Sequence, residues 1–262
     1  MDDKPSPVPR SRGIYLLPNL LTTGGMFAGF YAILAAASGH FENACIAVFV
    51  AGMFDGIDGR IARLTGTSTE FGVQYDSLAD LVSFGMAPAL VMYHWALSTL
   101  RLDGVAIGKA GWAAAFLYAA CGALRLARFN TQVGVVDKRW FIGLASPAAA
   151  AVMMAFVWTM VDLGYSGEQL RYVALIVTIV SGLLMVSRLR YTSFKGGRAN
   201  PSPPGERVPF LLLLVVVLII VAIFIYPARL LLAVSGLYAL SGPAYWAWQK
   251  LRRRRGPGQG VA

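Results

Sequence analysis

Charged residues and cysteines are both scarce in this sequence. Only 14% of its 262 residues are Asp, Glu, Lys or Arg, whereas 57% are hydrophobic and the mean hydropathy is +0.60. So little charge excludes an ordinary soluble domain and is typical of a helical membrane protein. The only two cysteines, Cys45 and Cys121, lie in apolar stretches, where they indicate neither a disulfide nor a metal site.

Long apolar stretches predict an all-α, polytopic transmembrane helix bundle. Each is near the roughly 20 residues that cross a bilayer as a helix. A tight turn at Tyr226-Pro227 divides the last stretch, which is too long for one helix. The eight predicted spans cover residues 15–37, 43–63, 71–98, 110–129, 142–162, 169–187, 208–226 and 228–248. The predicted organisation is an N-terminal tail (1–12), one transmembrane domain (13–249) and a basic C-terminal tail (250–262).

The distribution of basic residues predicts the orientation of these spans. Of the 23 Lys and Arg residues, all but Arg101, Lys109, Arg171 and Arg229 fall in the two tails and the even-numbered connections. Because positive residues favour the cytoplasmic side, both termini are expected there. Topology and attraction to anionic lipid headgroups then account for the net charge of +10, and no nucleic-acid partner is required.

Four aspartates interrupt the second and third predicted spans. Asp55 and Asp58 share one helical face with Gly59 and Ala62, and Gly72, Asp76 and Asp80 share another. The pairs 55/80 and 58/76 are both centred near residue 67, so an antiparallel hairpin places the members of each pair at equal depth. This arrangement predicts an inward-facing square of carboxylates about 10 to 15 Å from the cytoplasmic helix ends.

Four carboxylates at such a depth are costly and predict a functional site. Oxygen ligands select hard divalent cations, and two Mg²⁺ or Mn²⁺ ions would offset the four negative charges. Gly59 and Gly72 leave room for a bulky ligand, and Arg63 is placed to pair with a phosphate. Two other interpretations stay open, in which the aspartates form buried ion pairs with arginines or line the path of a cation transporter.

Small and polar residues in the first span carry weaker signals. Gly25 and Gly29 have the spacing that lets two membrane helices approach closely. Asn19 and Thr22 lie one turn apart and face either a neighbouring helix or a bound nucleotide.

The aspartate stretch resembles the signature of the CDP-alcohol phosphotransferase family. It reads Asp55-x-x-Asp58-Gly59-x-x-Ala62-Arg63, then eight residues, then Gly72-x-x-x-Asp76-x-x-x-Asp80. The resemblance implies a membrane enzyme that joins a CDP-linked donor to an alcohol over two metal ions and releases CMP. It also suggests a homodimer. The residues that it implicates in metal binding are Asp55, Asp58, Asp76 and Asp80, with Asp80 also the candidate base, and those expected to contact CDP are Asn19, Thr22, Asp55, Asp58, Gly59, Ala62, Arg63, Gly72 and Asp76.

Further stretches resemble the bacterial, membrane-embedded phosphatidylserine synthases within that family. They include "LPNLLTTGGMFAGFYAI" from residue 17, "DSLADLVSFGMAPA" from 76, "LRLARFN" at 124–130 and "YTSFK" at 191–195. The likeness implies CDP-diacylglycerol as donor, L-serine as acceptor and a bacterial inner membrane location with the active site near the cytoplasmic face. One departure is Ala145, where the expected Gly-Leu-Pro-Ser-Pro has lost its first proline.

Serine carries a carboxylate and an ammonium group, so its site needs fixed charges. The expected serine-binding residues are Arg125, Arg128, Asn130, Ser193 and Lys195. The basic members of this set have an alternative role as markers of the cytoplasmic boundary. The same chemistry with glycerol phosphate, inositol or choline as acceptor also stays open, because the aspartate signature relates to the CDP donor.

Overall fold

The described part of the chain is mainly helical, with one short pair of strands. The computed structural model describes residues 13–67, 69–131, 140–192 and 225–255. In chain order the elements are α1 (Gly13–Ala37), α2 (Phe41–Thr65), α3 (Glu70–Asp80), a π-helical turn (Leu81–Met86), α4 (Ala87–Trp95), a 3-10 segment (Leu97–Asp103), α5 (Val105–Thr131), β1 (Trp140–Ile142), α6 (Ser146–Asp162), α7 (Arg171–Val186), β2 (Arg190–Thr192) and α8 (Pro227–Arg255).

Four helical stretches of the described chain are long and apolar enough to cross a membrane. They cover Leu16–Ala37, Glu70–Asp103, Val105–Thr131 and Pro227–Lys250. The apolar helices α6 and α7 are shorter, at 17 and 16 residues, and α2 has 25 residues but carries the charges of the aspartate stretch. Most of the predicted span 208–226 lies outside the described residues, so the predicted total of eight spans stays a prediction.

Helices α1 and α2 pack closely because small residues fill their interface. The buried residues are mostly alanines: Ala28, Ala32, Ala35 and Ala36 on α1, with Ala44, Ala47, Val48 and Ala51 on α2. Gly29 has the predicted close approach, since a Cβ there would lie 2.6 Å from the Ser83 hydroxyl. Ser83 also donates a 3.1 Å hydrogen bond to the Gly25 carbonyl. Together these contacts fix α1 against the π-helical turn.

The π-helical turn follows directly from Asp80 and interrupts the third predicted span. Ala87 donates its backbone N–H to the Val82 carbonyl, five residues earlier. Pro88 has no N–H to offer the Phe84 carbonyl one turn before it, and proline disturbs a regular helix at that point. The buried Tyr118 hydroxyl of α5 donates to the Phe84 carbonyl instead, at 3.0 Å. A side chain from another helix therefore satisfies the acceptor that the proline leaves.

Two ion pairs join helix ends on one side of the bundle. Arg171, at the start of α7, donates to both carboxylate oxygens of Asp103 at 2.6 and 2.7 Å, and Tyr172 donates to the same carboxylate at 3.0 Å. Arg229, near the start of α8, donates to Asp162 at the end of α6 at 3.1 Å. The first pair ties α7 to the 3-10 segment, and the second ties α8 to α6.

The two strands pair antiparallel at the other end of the bundle, with Phe141 opposite Tyr191. Gly143 follows β1 with a φ of +82°, and a Cβ there would collide with the Met185 carbonyl, so only glycine fits. Ala145, where the resemblance leads us to expect proline, has φ −62° and ψ 138° immediately before α6. That backbone conformation is the one proline favours, which explains how the turn keeps its shape without the proline.

Candidate metal centre and active site

Three of the four aspartates form one compact group. Asp55 of α2 and Asp76 and Asp80 of α3 each present a carboxylate oxygen, and these three oxygens lie within 4.8 Å of one another. The hairpin that joins the helices is tightly built. Gly66 ends α2 with a φ of +63°, and the Thr69 side chain caps α3 by accepting a 3.0 Å hydrogen bond from the Gly72 N–H. The local sequence therefore fixes the two carboxylate-bearing faces against each other.

Asp58 departs from the predicted square. Its side chain is 4% exposed and accepts a 2.6 Å hydrogen bond from the Thr22 hydroxyl of α1. It is not part of the 4.8 Å group, yet it lines the same cleft. Thr22 thus orients the fourth carboxylate in the cleft. The symmetry of the aspartate hairpin did not predict this contact, because Thr22 belongs to α1.

The cleft lies where α1, α2, α3 and the π-helical turn meet. Its lining residues are Thr22, Gly25, Met26, Ala51, Asp55, Asp58, Asp76, Ala79, Asp80, Ser83 and Phe84. Its lining thus combines four carboxylates and the hydroxyls of Thr22 and Ser83 with small and apolar residues.

The donor set fits one or two hard divalent cations. All of its ligand atoms are carboxylate oxygens, which Mg²⁺ and Mn²⁺ prefer, and no sulfur or imidazole is among them. Negative charges this close repel one another strongly in a membrane interior, so bound cations would stabilise the arrangement. Asp55, Asp76 and Asp80 are the residues that could hold a metal, with Asp58 beside them.

Of the residues expected to contact CDP, Thr22, Asp55, Asp58 and Asp76 line this cleft, and the others lie on the same three helices, α1, α2 and α3. At Gly59 a Cβ would contact only the guanidinium of Arg63, 3.6 Å away. Apart from that flexible side chain, the space next to Gly59 is open. At Gly72 a Cβ would lie 3.2 Å from the Thr69 hydroxyl and 3.4 Å from the Asn19 amide oxygen. The structure thus brings Asn19 next to Gly72, and leaves Arg63 exposed in the last turn of α2.

Ala62, another residue expected to contact CDP, makes its hydrogen bonds at the end of α2 through its backbone carbonyl. Its carbonyl accepts the N–H groups of Gly66 and Thr67 and so closes the end of α2. Its half-buried side chain lies one turn beyond Asp58.

Two of the residues expected to bind serine lie close to the aspartates. Arg125 of α5 interacts electrostatically with Asp80 and donates a 2.9 Å hydrogen bond to Ser146 at the start of α6. Asn130 donates a 3.0 Å hydrogen bond to Ser77, the neighbour of Asp76 in the chain. Arg128 is half-buried in the last turn of α5. Ser193 and Lys195 lie outside the described residues.

Several residues of the site carried no clear sequence signal. The fold brings Ser146 and Tyr238 near Arg125, and Tyr75 near the first helix, from distant parts of the chain. Tyr75 shares a 2.8 Å hydrogen bond with Thr23, and Tyr238 of α8 interacts electrostatically with Arg125. Ser77 was within reach of sequence reasoning, because it lies on α3 between two of the aspartates.

Comparison with known proteins gives the same family as the aspartate signature. A family model of CDP-alcohol phosphatidyltransferases matches residues 15–183. The chain is 36% identical to a CDP-diacylglycerol–serine O-phosphatidyltransferase of Helicobacter pylori over 233 residues, which cover 89% of this chain and 92% of the relative. It is also 34% identical to an archaetidylserine synthase of Methanothermobacter thermautotrophicus over 186 residues, which cover 70% of this chain and 72% of that protein.

The match to the family model is long enough to include the aspartate hairpin and the helices that surround it. The family model begins in α1 and ends in α7, so it contains every residue that lines the cleft. These matches show that the chain belongs to the CDP-alcohol phosphatidyltransferase family of enzymes.

Proposed function

We propose that this enzyme transfers the phosphatidyl group from CDP-diacylglycerol to the hydroxyl of L-serine, giving phosphatidylserine and CMP. The observation that carries the proposal is the group of Asp55, Asp76 and Asp80 within 4.8 Å, in a cleft that also holds Asp58. The Helicobacter pylori relative, a CDP-diacylglycerol–serine O-phosphatidyltransferase that is 36% identical over most of both chains, supports serine as the acceptor.

The reaction requires the serine hydroxyl to lose a proton as its oxygen attacks. In the proposed mechanism Asp80 accepts that proton, and the serine oxygen forms a bond to the phosphorus that carries the diacylglycerol. The bond between this phosphorus and the oxygen of the CMP phosphate breaks, and CMP leaves with that electron pair. When bound to Asp55, Asp58, Asp76 and Asp80, divalent cations would offset the negative charge of the diphosphate.

The surroundings of the aspartates suit the two substrates. On the donor side, Asn19 and Gly72 adjoin each other, and Arg63 is exposed for pairing with a phosphate. On the acceptor side, Arg125 lies within electrostatic reach of Asp80 and supplies a cation for the serine carboxylate. Arg128, Asn130, Ser193 and Lys195 complete the proposed serine site.

The proposed topology has eight spans, with both termini and the active site on the cytoplasmic side of a bacterial inner membrane. The distribution of basic residues supports it, because only four of the 23 Lys and Arg residues are predicted on the opposite side. A homodimer is proposed on the family resemblance.

Purified full-length protein in lipid nanodiscs tests this function. With CDP-diacylglycerol, Mg²⁺ or Mn²⁺ and serine, we expect stoichiometric release of CMP and formation of phosphatidylserine, measured by mass spectrometry. Chelation by EDTA should stop the reaction, and either cation should restore it. CMP release with glycerol phosphate, inositol or choline but not with serine would contradict the choice of acceptor.

Asp80→Asn tests the proposed base, and Asp162→Asn is its matched control. Both variants replace one carboxylate by an amide, but Asp162 is half-exposed in the ion pair with Arg229 at the opposite end. We expect Asp80→Asn to abolish turnover while still binding CDP-diacylglycerol, and Asp162→Asn to remain active. Ion flux through proteoliposomes without CMP release would instead support a cation transporter.

A further inference from the structure

The segment before α6 holds Ser146 in a fixed place at the start of that helix. The Gly143 N–H donates a 2.8 Å hydrogen bond to the Leu189 carbonyl. The Leu144 N–H donates a 2.9 Å hydrogen bond to the Leu184 carbonyl of α7. The Ser146 side chain itself is 1% exposed, and no side chain caps the start of α6. The Ser146 hydroxyl is therefore a rigidly placed group that can serve another helix.

Arg125 of α5 lies at the depth of the candidate metal centre, as the contacts of α5 on either side of it show. Just before it in the chain, a Cβ at Gly122 would lie 3.5 Å from the Gly85 Cα of the π-helical turn. Just after it, Asn130 donates a 3.0 Å hydrogen bond to Ser77 of α3. These contacts run antiparallel, so Arg125 falls between them, where the last aspartate of α3 meets the π-helical turn and both line the cleft.

The guanidinium of Arg125 is held on its Nη1 side. This nitrogen donates a 2.9 Å hydrogen bond to the Ser146 hydroxyl. The Nε, by contrast, is buried and makes no hydrogen bond within the described part of the chain. Arg125 also forms no direct ion pair with a carboxylate of the described residues. A buried guanidinium donor without a partner is costly, so a bound carboxylate would stabilise this site.

Arg171 shows which edge of such a guanidinium takes a carboxylate. Its Nη1 donates to the Glu168 carbonyl at 3.1 Å. Its Nε and Nη2 donate to the two carboxylate oxygens of Asp103 at 2.6 and 2.7 Å. These two nitrogens lie along one edge of the planar group and match the spacing of the carboxylate oxygens. With Nη1 on Ser146, Arg125 has the same edge directed away from its protein partner.

We propose that Ser146 is a positioning residue that fixes Arg125 so that the edge formed by Nε and Nη2 receives the carboxylate of the acceptor. The inference rests on the proposed function, because it takes serine as the acceptor and Arg125 as part of its site. A guanidinium whose orientation is fixed in advance loses less entropy on binding. The residues proposed to contact CDP belong to α1, α2 and α3, whereas Ser146 begins α6, so its hydroxyl should affect the acceptor and not the donor.

Ser146→Ala is the direct test, because it removes the hydroxyl and adds no bulk. We expect the KM for L-serine to rise about 3- to 10-fold, a loss typical of one hydrogen bond. The KM for CDP-diacylglycerol and kcat should change less than about twofold by the same reasoning. Ser146→Cys places a weaker acceptor of similar size there and should give an intermediate KM for L-serine.

Ser235→Ala is the matched control. The Ser235 hydroxyl is also buried, but it donates to the Leu231 carbonyl of its own helix, α8, at 2.6 Å. We expect this variant to change neither KM. Thermal unfolding of all three variants in detergent shows whether each is folded, and if Ser146→Ala does not fold, Ser146→Cys takes its place in the comparison.

A double-mutant cycle tests whether Ser146 acts through Arg125. Arg125→Lys keeps the positive charge but loses the planar edge, so the KM for L-serine should rise. Adding Ser146→Ala to this variant should raise that KM by less than about twofold, because the two changes disable the same group.

The outcomes distinguish this inference from the proposed function. An unchanged serine KM in the Ser146 variants, equal rises in both KM values, or additivity with Arg125→Lys would overturn the role of Ser146 while leaving serine as the acceptor. Absence of serine turnover in the unsubstituted protein would overturn both.

Discussion

Thr22 on α1 donates a 2.6 Å hydrogen bond to the carboxylate of Asp58 on α2. This contact links the first helix to the aspartate hairpin at the depth of the candidate metal centre. Since the Asp58 side chain is 4% exposed, little water is available to replace a lost donor. The carboxylate therefore depends on α1 for its orientation.

Thr22→Val should consequently impair catalysis. Hydrogen bonds to charged groups contribute about 1.5–3 kcal/mol, so we expect kcat/KM for CDP-diacylglycerol to fall by about tenfold to a hundredfold. Steady-state CMP release measures it. Thr99→Val makes the same side-chain change in the 3-10 segment and should leave activity near normal; equal activity in the two variants would contradict the role of Thr22.

Tyr118→Phe should lower stability. The variant leaves the Phe84 carbonyl, beside Pro88, without the 3.0 Å hydrogen bond that Tyr118 donates. An unsatisfied buried acceptor costs about 1–3 kcal/mol. Thermal unfolding in detergent measures the loss, and Tyr165→Phe, at a half-exposed tyrosine between α6 and α7, is the control. An unchanged unfolding temperature for Tyr118→Phe would show that the carbonyl finds another donor.

Gly29→Ala should separate α1 from the π-helical turn. The added Cβ would lie 2.6 Å from the Ser83 hydroxyl and 2.8 Å from the Ser83 Cα, so helices must shift. Overpacking of this kind costs about 1–3 kcal/mol, and here it also displaces a wall of the cleft. Reduced thermal stability together with reduced activity is the expected result.

Gly56→Ala is the matched control, because a Cβ at Gly56 meets nothing within 4 Å. In that position the substitution should stabilise α2 by about 0.5–1 kcal/mol through helix propensity. If both alanines had the same effect, the close approach at Gly29 would not be what limits packing.

Ala145→Pro should be accommodated. The φ of −62° and ψ of 138° at this position already match proline, so the substitution should leave stability unchanged or raise it by up to about 1 kcal/mol. By contrast, Ala149→Pro removes the N–H that donates 2.9 Å to the Ala145 carbonyl and should cost about 3 kcal/mol. Thermal unfolding of both variants tests the comparison; a marked loss in Ala145→Pro would contradict it.

The sequence predicted most of the described helices and the meeting of three aspartates because both follow from local periodicity. Hydropathy locates apolar helices, and the spacing of Asp55, Asp76 and Asp80 fixes which faces meet in a hairpin. The contacts that complete the site, by contrast, join segments far apart in the chain. Thr22 with Asp58, Ser77 with Asn130 and Arg125 with Ser146 are examples, and no periodicity within a single span specifies such pairs.

The π-helical turn was missed for a different reason. Its cause, the absent N–H of Pro88, is visible in the sequence, but the response of the helix depends on a donor from α5. A proline inside an apolar helix is also compatible with a kink or a helix end, so sequence alone does not choose among the three.

The same turn separates two tasks within one long helix. Because it holds an extra residue, later side chains point about 100° away from the direction that they would have in an uninterrupted α-helix. The row of carboxylates ends at Asp80, and four residues later the buried Phe84 lines the same cleft. Residues beyond Met86 can therefore vary to suit the neighbouring helices without changing the direction of the aspartate side chains. A one-residue deletion between Leu81 and Met86 would instead rotate the side chains of α4 relative to those of α3.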